Sequence, residues 1–89
     1  MRFKGICIAV EDSSYQSKRS GRVGQMTLTC IDADVEGRLR DTVDVVLPLE
    51  EFERIKEHPT DKTFDFQVLE IRPGRGPRFR FDARLAEQK

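Results

Sequence analysis

Residues 48–58 read PLEEFERIKEH, and in this stretch the apolar spacing of the chain changes. Leu49, Phe52, Ile55 and Lys56 fall at helical intervals, whereas the segments on either side alternate with a period of two. Pro48 suits the first turn of a helix, and Glu50 and Glu51 sit where the helix dipole favours negative charge. Pro59 ends the run, so the spacing predicts a helix over 48–58.

Outward from this helix the sequence predicts strands. Before it, a third strand over about 38–47 sets Val43, Val45 and Leu47 on one side. The acidic turn DADVEG at 32–37 separates it from a second strand over about 24–32, where Met26, Leu28 and Cys30 alternate with Gln25, Thr27 and Thr29. Upstream lies a polar loop, DSSYQSKRSGRVG, rich in Ser and Gly. The first strand covers about 2–11, with Ile6, Ile8 and Val10 on one face and Phe3 on the other, where Phe3 is a candidate surface ring. After the helix, a fourth strand over about 62–71 carries Phe64, Phe66 and Val68. The Pro73-Gly74 turn leads into a fifth over about 77–85, with Phe79, Phe81, Ala83 and Leu85 opposite Arg78, Arg80, Asp82 and Arg84. The four phenylalanines at 64, 66, 79 and 81 are expected in the core.

Three strands, one short helix, then two strands is the order of the OB-fold, a five-stranded Greek-key barrel whose helix lies between strands three and four. An SH3-like barrel, which usually lacks that helix, and an open α+β sheet are the alternatives. The 89 residues, with no internal repeat or linker, read as a single domain over 1–89. A chain this small buries roughly 60–65% of its unfolded surface. That leaves little room for an enclosed cofactor, so none is expected and function should lie on an open face.

The composition, 37% hydrophobic and 36% charged, is that of a small, soluble, cytoplasmic protein. No apolar run is long enough to span a membrane. The opening MRFKGICIAV is interrupted by Gly5 and followed by EDSSYQ, so it reads as a strand rather than a leader. Cys7 and Cys30 lie in strand-like segments with no CxxC spacing and one histidine in the chain. They read as buried thiols in a reducing compartment, and no metal site is expected. His58, beside Pro59, is expected to complement the helix C-terminus.

The formal net charge of zero conceals an uneven distribution. Residues 1–22 hold five basic and two acidic side chains, residues 32–65 five basic and eleven acidic, and residues 66–84 five basic and two acidic. In an OB barrel the loops after strands one and four border the face that binds oligonucleotides or oligosaccharides. Here those loops are the two most basic connectors. Arginine supplies eleven of the sixteen cations, and its planar fork binds phosphate and stacks on bases. The candidate nucleic-acid-binding residues are therefore Lys18, Arg19, Arg22, Arg72, Arg75, Arg78, Arg80 and Arg84, with Tyr15 stacking a base. The competing reading makes the arginines a solvated face that pairs across the sheet with Asp65, Gln67 or Asp44.

The layout resembles the small OB-fold single-stranded-DNA-binding proteins of phages and plasmids, with helix 48–58 closer to the general bacterial single-strand binders. The stretches that carry the resemblance are Ser17-Lys18-Arg19-Ser20-Gly21, the strand ending LTCID, and the hairpin from Gly74 to Arg84. It implies cooperative, sequence-independent coating of single strands, usually as a homodimer. This chain has one tyrosine where filamentous-phage binders carry several. No Ser-His-Asp set, Cys-His pair, Walker loop or metal cluster is present, and Gly74-Arg75-Gly76 lies between strands rather than at a helix start. Non-enzymatic binding of single-stranded nucleic acid, DNA ahead of RNA, is the expectation. A protein-interaction module on the same barrel is the alternative.

Overall fold

The structure, a computed structural model, describes residues 2–33, 42–55, 57–74 and 78–86. Strand β1 (Arg2–Asp12) leads into a small hairpin, β2 (Tyr15–Ser17) and β3 (Gly21–Val23). Then come β4 (Gln25–Asp32), β5 (Thr42–Pro48), the one-turn helix α1 (Leu49–Phe52), β6 (Thr63–Pro73) and β7 (Phe79–Leu85). Five of the strands close a barrel in the order β1-β4-β5-β7-β6. Neighbours pair antiparallel except β5 and β7, which run parallel, Val45 beside Phe81. This is an OB-like Greek-key barrel with its helix between the third and fourth barrel strands, as the element order predicts.

The interior is built by every second residue of the barrel strands. Leu28, Cys30, Val45, Leu47, Phe66 and Cys7 have no exposed surface. Burying a side chain of the Leu, Val or Phe type contributes about 1.5–3 kcal/mol. The Phe3 ring stacks on Phe66 at a centroid distance of 6.3 Å and meets Phe81 edge-on at 5.2 Å. Phe3 is thus a core residue and not a surface ring. The reason is a bulge in β1 between Cys7 and Ala9. Phe3, Gly5 and Cys7 point inward, Ile8 is turned out to solvent, and Val10 returns to pack against the core. A strict alternation through Ile6, Ile8 and Val10 carries the opposite parity, because one extra residue flips every later side chain.

Two further expectations are corrected. The loop after β1 is not irregular throughout but folds into the β2–β3 hairpin, closed at Gly21 with a φ of 72°. The helix covers Leu49–Phe52 and not 48–58. Its first amide, that of Leu49, donates to the Gly24 carbonyl at 3.0 Å. Beyond Phe52 the amides of Arg54 and Ile55 each reach back three residues, a tighter turn that brings Ile55 onto the core beside Phe52. A single turn has little stability of its own, so packing on the barrel end decides its length. His58 therefore lies well past the helix end, exposed, and its Nδ1 accepts a hydrogen bond from the Thr60 amide at 3.3 Å. The turn before β6 is held by β1, where Asp61 N–H donates to the Cys7 carbonyl at 2.7 Å and Cys7 N–H to the Lys62 carbonyl at 2.9 Å.

The start expected for the third strand, the acidic turn beyond Ala33, and Arg75 lie outside the described residues. No helix among the described residues is long and apolar enough to cross a membrane.

Candidate nucleic-acid interface

Three outward-facing positions of β4 and β5, Thr27, Asp44 and Val46, are buried nonetheless. Two hairpins rise on either side of them, β2–β3 on one and β6–β7 on the other. Between these lies a groove of about 390 Å³, with Thr27, Asp44 and Val46 in its floor, Tyr15 on one wall and Pro73, Gly74 and Arg80 on the other. The two most basic connectors of the sequence thus border one groove.

Serines fix the Tyr15 wall. Ser13 N–H donates to the Gln25 carbonyl at 3.1 Å, and the Ser14 hydroxyl accepts from the Gln25 amide at 3.1 Å. Thr27 Oγ1 donates to Ser13 Oγ at 2.7 Å. The Ser14 amide donates to Asp12 Oδ1 at 2.9 Å. Hydrogen bonds from Ser14 hold the Asp12 carboxyl below its usual range, with Arg22 adding to the effect. Ser17 Oγ accepts from the amides of Arg19 and Ser20 and so shapes the tip, where Lys18 and Arg19 project. Lys18, Arg19 and Arg22 have no ion-pair partner among the described residues. Residues 12–23 set these three cations against the single carboxylate of Asp12. Tyr15 is half exposed on the hairpin face it shares with Val23, whereas Arg22 pairs with Gln16 on the other face.

The opposite wall is different. Arg72 holds Glu70 at 2.8 Å and reaches across the hairpin to Asp82 at 3.0 Å. Arg80 holds the other oxygen of Asp82 at 2.9 Å, and Arg78 meets Asp44 at 3.5 Å. Three arginines face three carboxylates there, so the described part of this wall carries no net charge. The hydrogen bond and charge of Arg72 keep the Glu70 carboxyl low, while Glu70, Asp82 and Tyr15 push Arg72 up. Arg84 Nε donates to Gln67 Oε1 at 2.9 Å. It lies four residues along β7 from Arg80, roughly 13 Å away at about 3.3 Å per residue, and is outside the groove. The cross-sheet pairing of Arg78 with Asp44 and of Arg84 with Gln67 is thus realised, and Asp65 takes no arginine among the described residues.

Phe79 departs most from the sequence expectation. It is 59% exposed, paired with Pro73 where the β6–β7 hairpin overhangs the barrel. It occupies the hairpin face opposite Arg80. The signal available in the sequence was its place next to the turn.

A larger cleft of about 580 Å³ opens at the other end of the barrel, over Ile55, Phe64 and Leu85. Its rim cations are matched, Arg54 by Glu51 at 3.0 Å and Lys62 by Glu57 at 3.6 Å. It offers an anion no surplus charge. Fold and groove together define a small OB-like barrel with a cleft flanked on one side by a cationic hairpin. Neither a family model, nor a curated protein, nor a solved structure matches the chain.

Proposed function

We propose that this barrel is a non-enzymatic module that binds single-stranded nucleic acid, DNA ahead of RNA, in the groove between its two hairpins. The observation that carries the reading is that the hairpin whose exposed ring, Tyr15, lines this groove also carries Lys18, Arg19 and Arg22, which have no ion-pair partner among the described residues. The phosphate backbone would track the β2–β3 hairpin while a base stacks on Tyr15, a contact worth about 1–3 kcal/mol. The β6–β7 wall serves chiefly to shape the groove, its arginines already occupied by Asp44, Glu70 and Asp82. The thiols Cys7 and Cys30, both unbridged, suit a reducing, cytoplasmic setting.

Three cations without an ion-pair partner among the described residues correspond to about three phosphate contacts. The logarithm of affinity should then fall with the logarithm of salt at a slope of about −2 for single strands. Fluorescence anisotropy with dT and rU oligomers across a salt series tests this. Lys18→Ala combined with Arg19→Ala should shallow the slope by about 1.4, and Tyr15→Ala should weaken binding with the slope unchanged. No binding at low salt would overturn the reading.

A further inference from the structure

We propose that a second copy of this chain pairs with the half of β6 that β1 leaves uncovered, forming a two-fold dimer centred on Ile71. Strand β6 runs from Thr63 to Pro73, yet β1 pairs with it only as far as Gln67. From Val68 to Pro73 its far edge has no strand partner among the described residues, while β7 pairs with its other edge throughout.

Backbone polarity along that edge follows from one hydrogen bond. Gly74 N–H donates to the Arg78 carbonyl at 2.9 Å. Bonded and non-bonded pairs alternate along an antiparallel ladder. Arg72 and Arg80 therefore exchange bonds, whereas Ile71 opposite Phe81 and Pro73 opposite Phe79 do not. The N–H and C=O of Ile71 must point to the uncovered edge. Pro73 turns its nitrogen the same way, where it has no proton to leave unpaired.

The side chains mark the same place. Leu69, at the β6 bulge, is 62% exposed, Ile71 50% and Phe79 59%. Ile71 and Phe79 share the hairpin face opposite Arg72 and Arg80. Apolar surface beside an open ladder is a template for strand addition.

The sequence of the edge, Leu69-Glu70-Ile71-Arg72-Pro73, says which partner fits. In an antiparallel pair centred on Ile71, Glu70 lies opposite the partner's Arg72, and Arg72 opposite the partner's Glu70. Leu69 meets the partner's Pro73, whose carbonyl can accept the Leu69 amide. Centring the pair one residue earlier sets Glu70 against the partner's Glu70. Centring it one residue later sets Arg72 against the partner's Arg72. Like charges directly opposite are unfavourable, so charge favours the Ile71 centre over either neighbouring residue, and the interface is self-complementary as a two-fold requires. This dimer does not depend on the nucleic-acid reading, because it rests on the open backbone edge of β6 and the register of Glu70 and Arg72 along it.

The edge is short, so association in the micromolar range is expected. Sedimentation equilibrium from low micromolar to near millimolar protein should show the monomer mass giving way to the dimer mass. Arg72→Glu and Glu70→Arg should each weaken self-association about tenfold or more, and an equimolar mixture of the two variants should recover it as a heterodimer. On the unaltered protein, exchange of the Ile71 amide should slow as concentration rises. A monomer at every concentration, variants that dimerise as the unaltered chain does, or an Ile71 amide whose exchange ignores concentration would each overturn the proposal. The exchange measurement decides even if a variant fails to fold.

Discussion

Arg72 on β6 and Asp82 on β7 are joined across their hairpin at 3.0 Å, and Asp82 gives its second oxygen to Arg80 at 2.9 Å. One carboxylate therefore separates two arginines that stand opposite each other in the sheet. Asp82→Asn should release the Arg80 guanidinium toward the groove and leave Arg72 held by Glu70 alone. Because the pairs are partly exposed, the loss of stability should stay within about 1 kcal/mol. The salt slope for oligomer binding should steepen by at least about one phosphate contact. An unchanged slope would place these arginines outside the path of the strand.

Glu70 titrates below its ordinary value because Arg72 bonds and attracts its ionised form. A carboxyl with a depressed folded value adds stability above the unfolded value and loses it as pH falls through the folded one. The Glu70 contribution should therefore be intact at neutral pH and vanish on the acid side of the usual carboxylate range. Side-chain carboxyl titration by NMR should show a depressed Glu70 midpoint that returns toward normal in Arg72→Gln. A midpoint indifferent to Arg72 would break that link.

Gly5 lies beneath the Phe3 ring. A β-carbon there would sit 2.6 Å from Phe3 Cε2 and 3.0 Å from Cys30 Cβ. Gly5→Ala should cost about 1–3 kcal/mol through overpacking, read as a lower urea midpoint at unchanged slope. Phe3→Leu should recover part of that loss in the double variant. Additive losses would mean the ring is not what the methyl meets.

Cys7 and Cys30 face each other across β1 and β4 inside the barrel, with no exposed surface. The hydrogen bond that the Cys30 thiol donates to Cys7, together with burial, pushes Cys30 far above its ordinary value. A thiol reagent that needs thiolate should react slowly with the native protein and rapidly once urea unfolds it. Fast reaction in the native state would contradict the packing.

Much of this fold could be read from residue patterns, and the exceptions have physical causes. Leu28 with Cys30 and Val45 with Leu47 alternate in the sequence and fill the barrel in the structure. The spacing locates the helix between two strands, but tertiary contact sets its length, Leu49 on Gly24 and Ile55 on the core. Phe3, a candidate surface ring, is in the core, and Phe79, expected in the core, is exposed. A bulge reversed the parity of β1, and alternation reports which face a residue takes but not whether the strand overhangs the barrel. The cationic connectors were visible as composition. What could not be read was the pairing of Arg78, because Asp44 comes from a strand distant in sequence, whereas Glu70 and Asp82 lie within the hairpin itself.

The most direct measurement is the affinity of the purified protein for a fluorescent dT oligomer across a salt series, beside the Lys18→Ala/Arg19→Ala variant. Binding with a slope of about −2 that becomes shallower by about 1.4 in the variant would establish the β2–β3 hairpin as the phosphate-tracking wall. Absence of binding at the lowest salt, or a slope the variant leaves untouched, would contradict it.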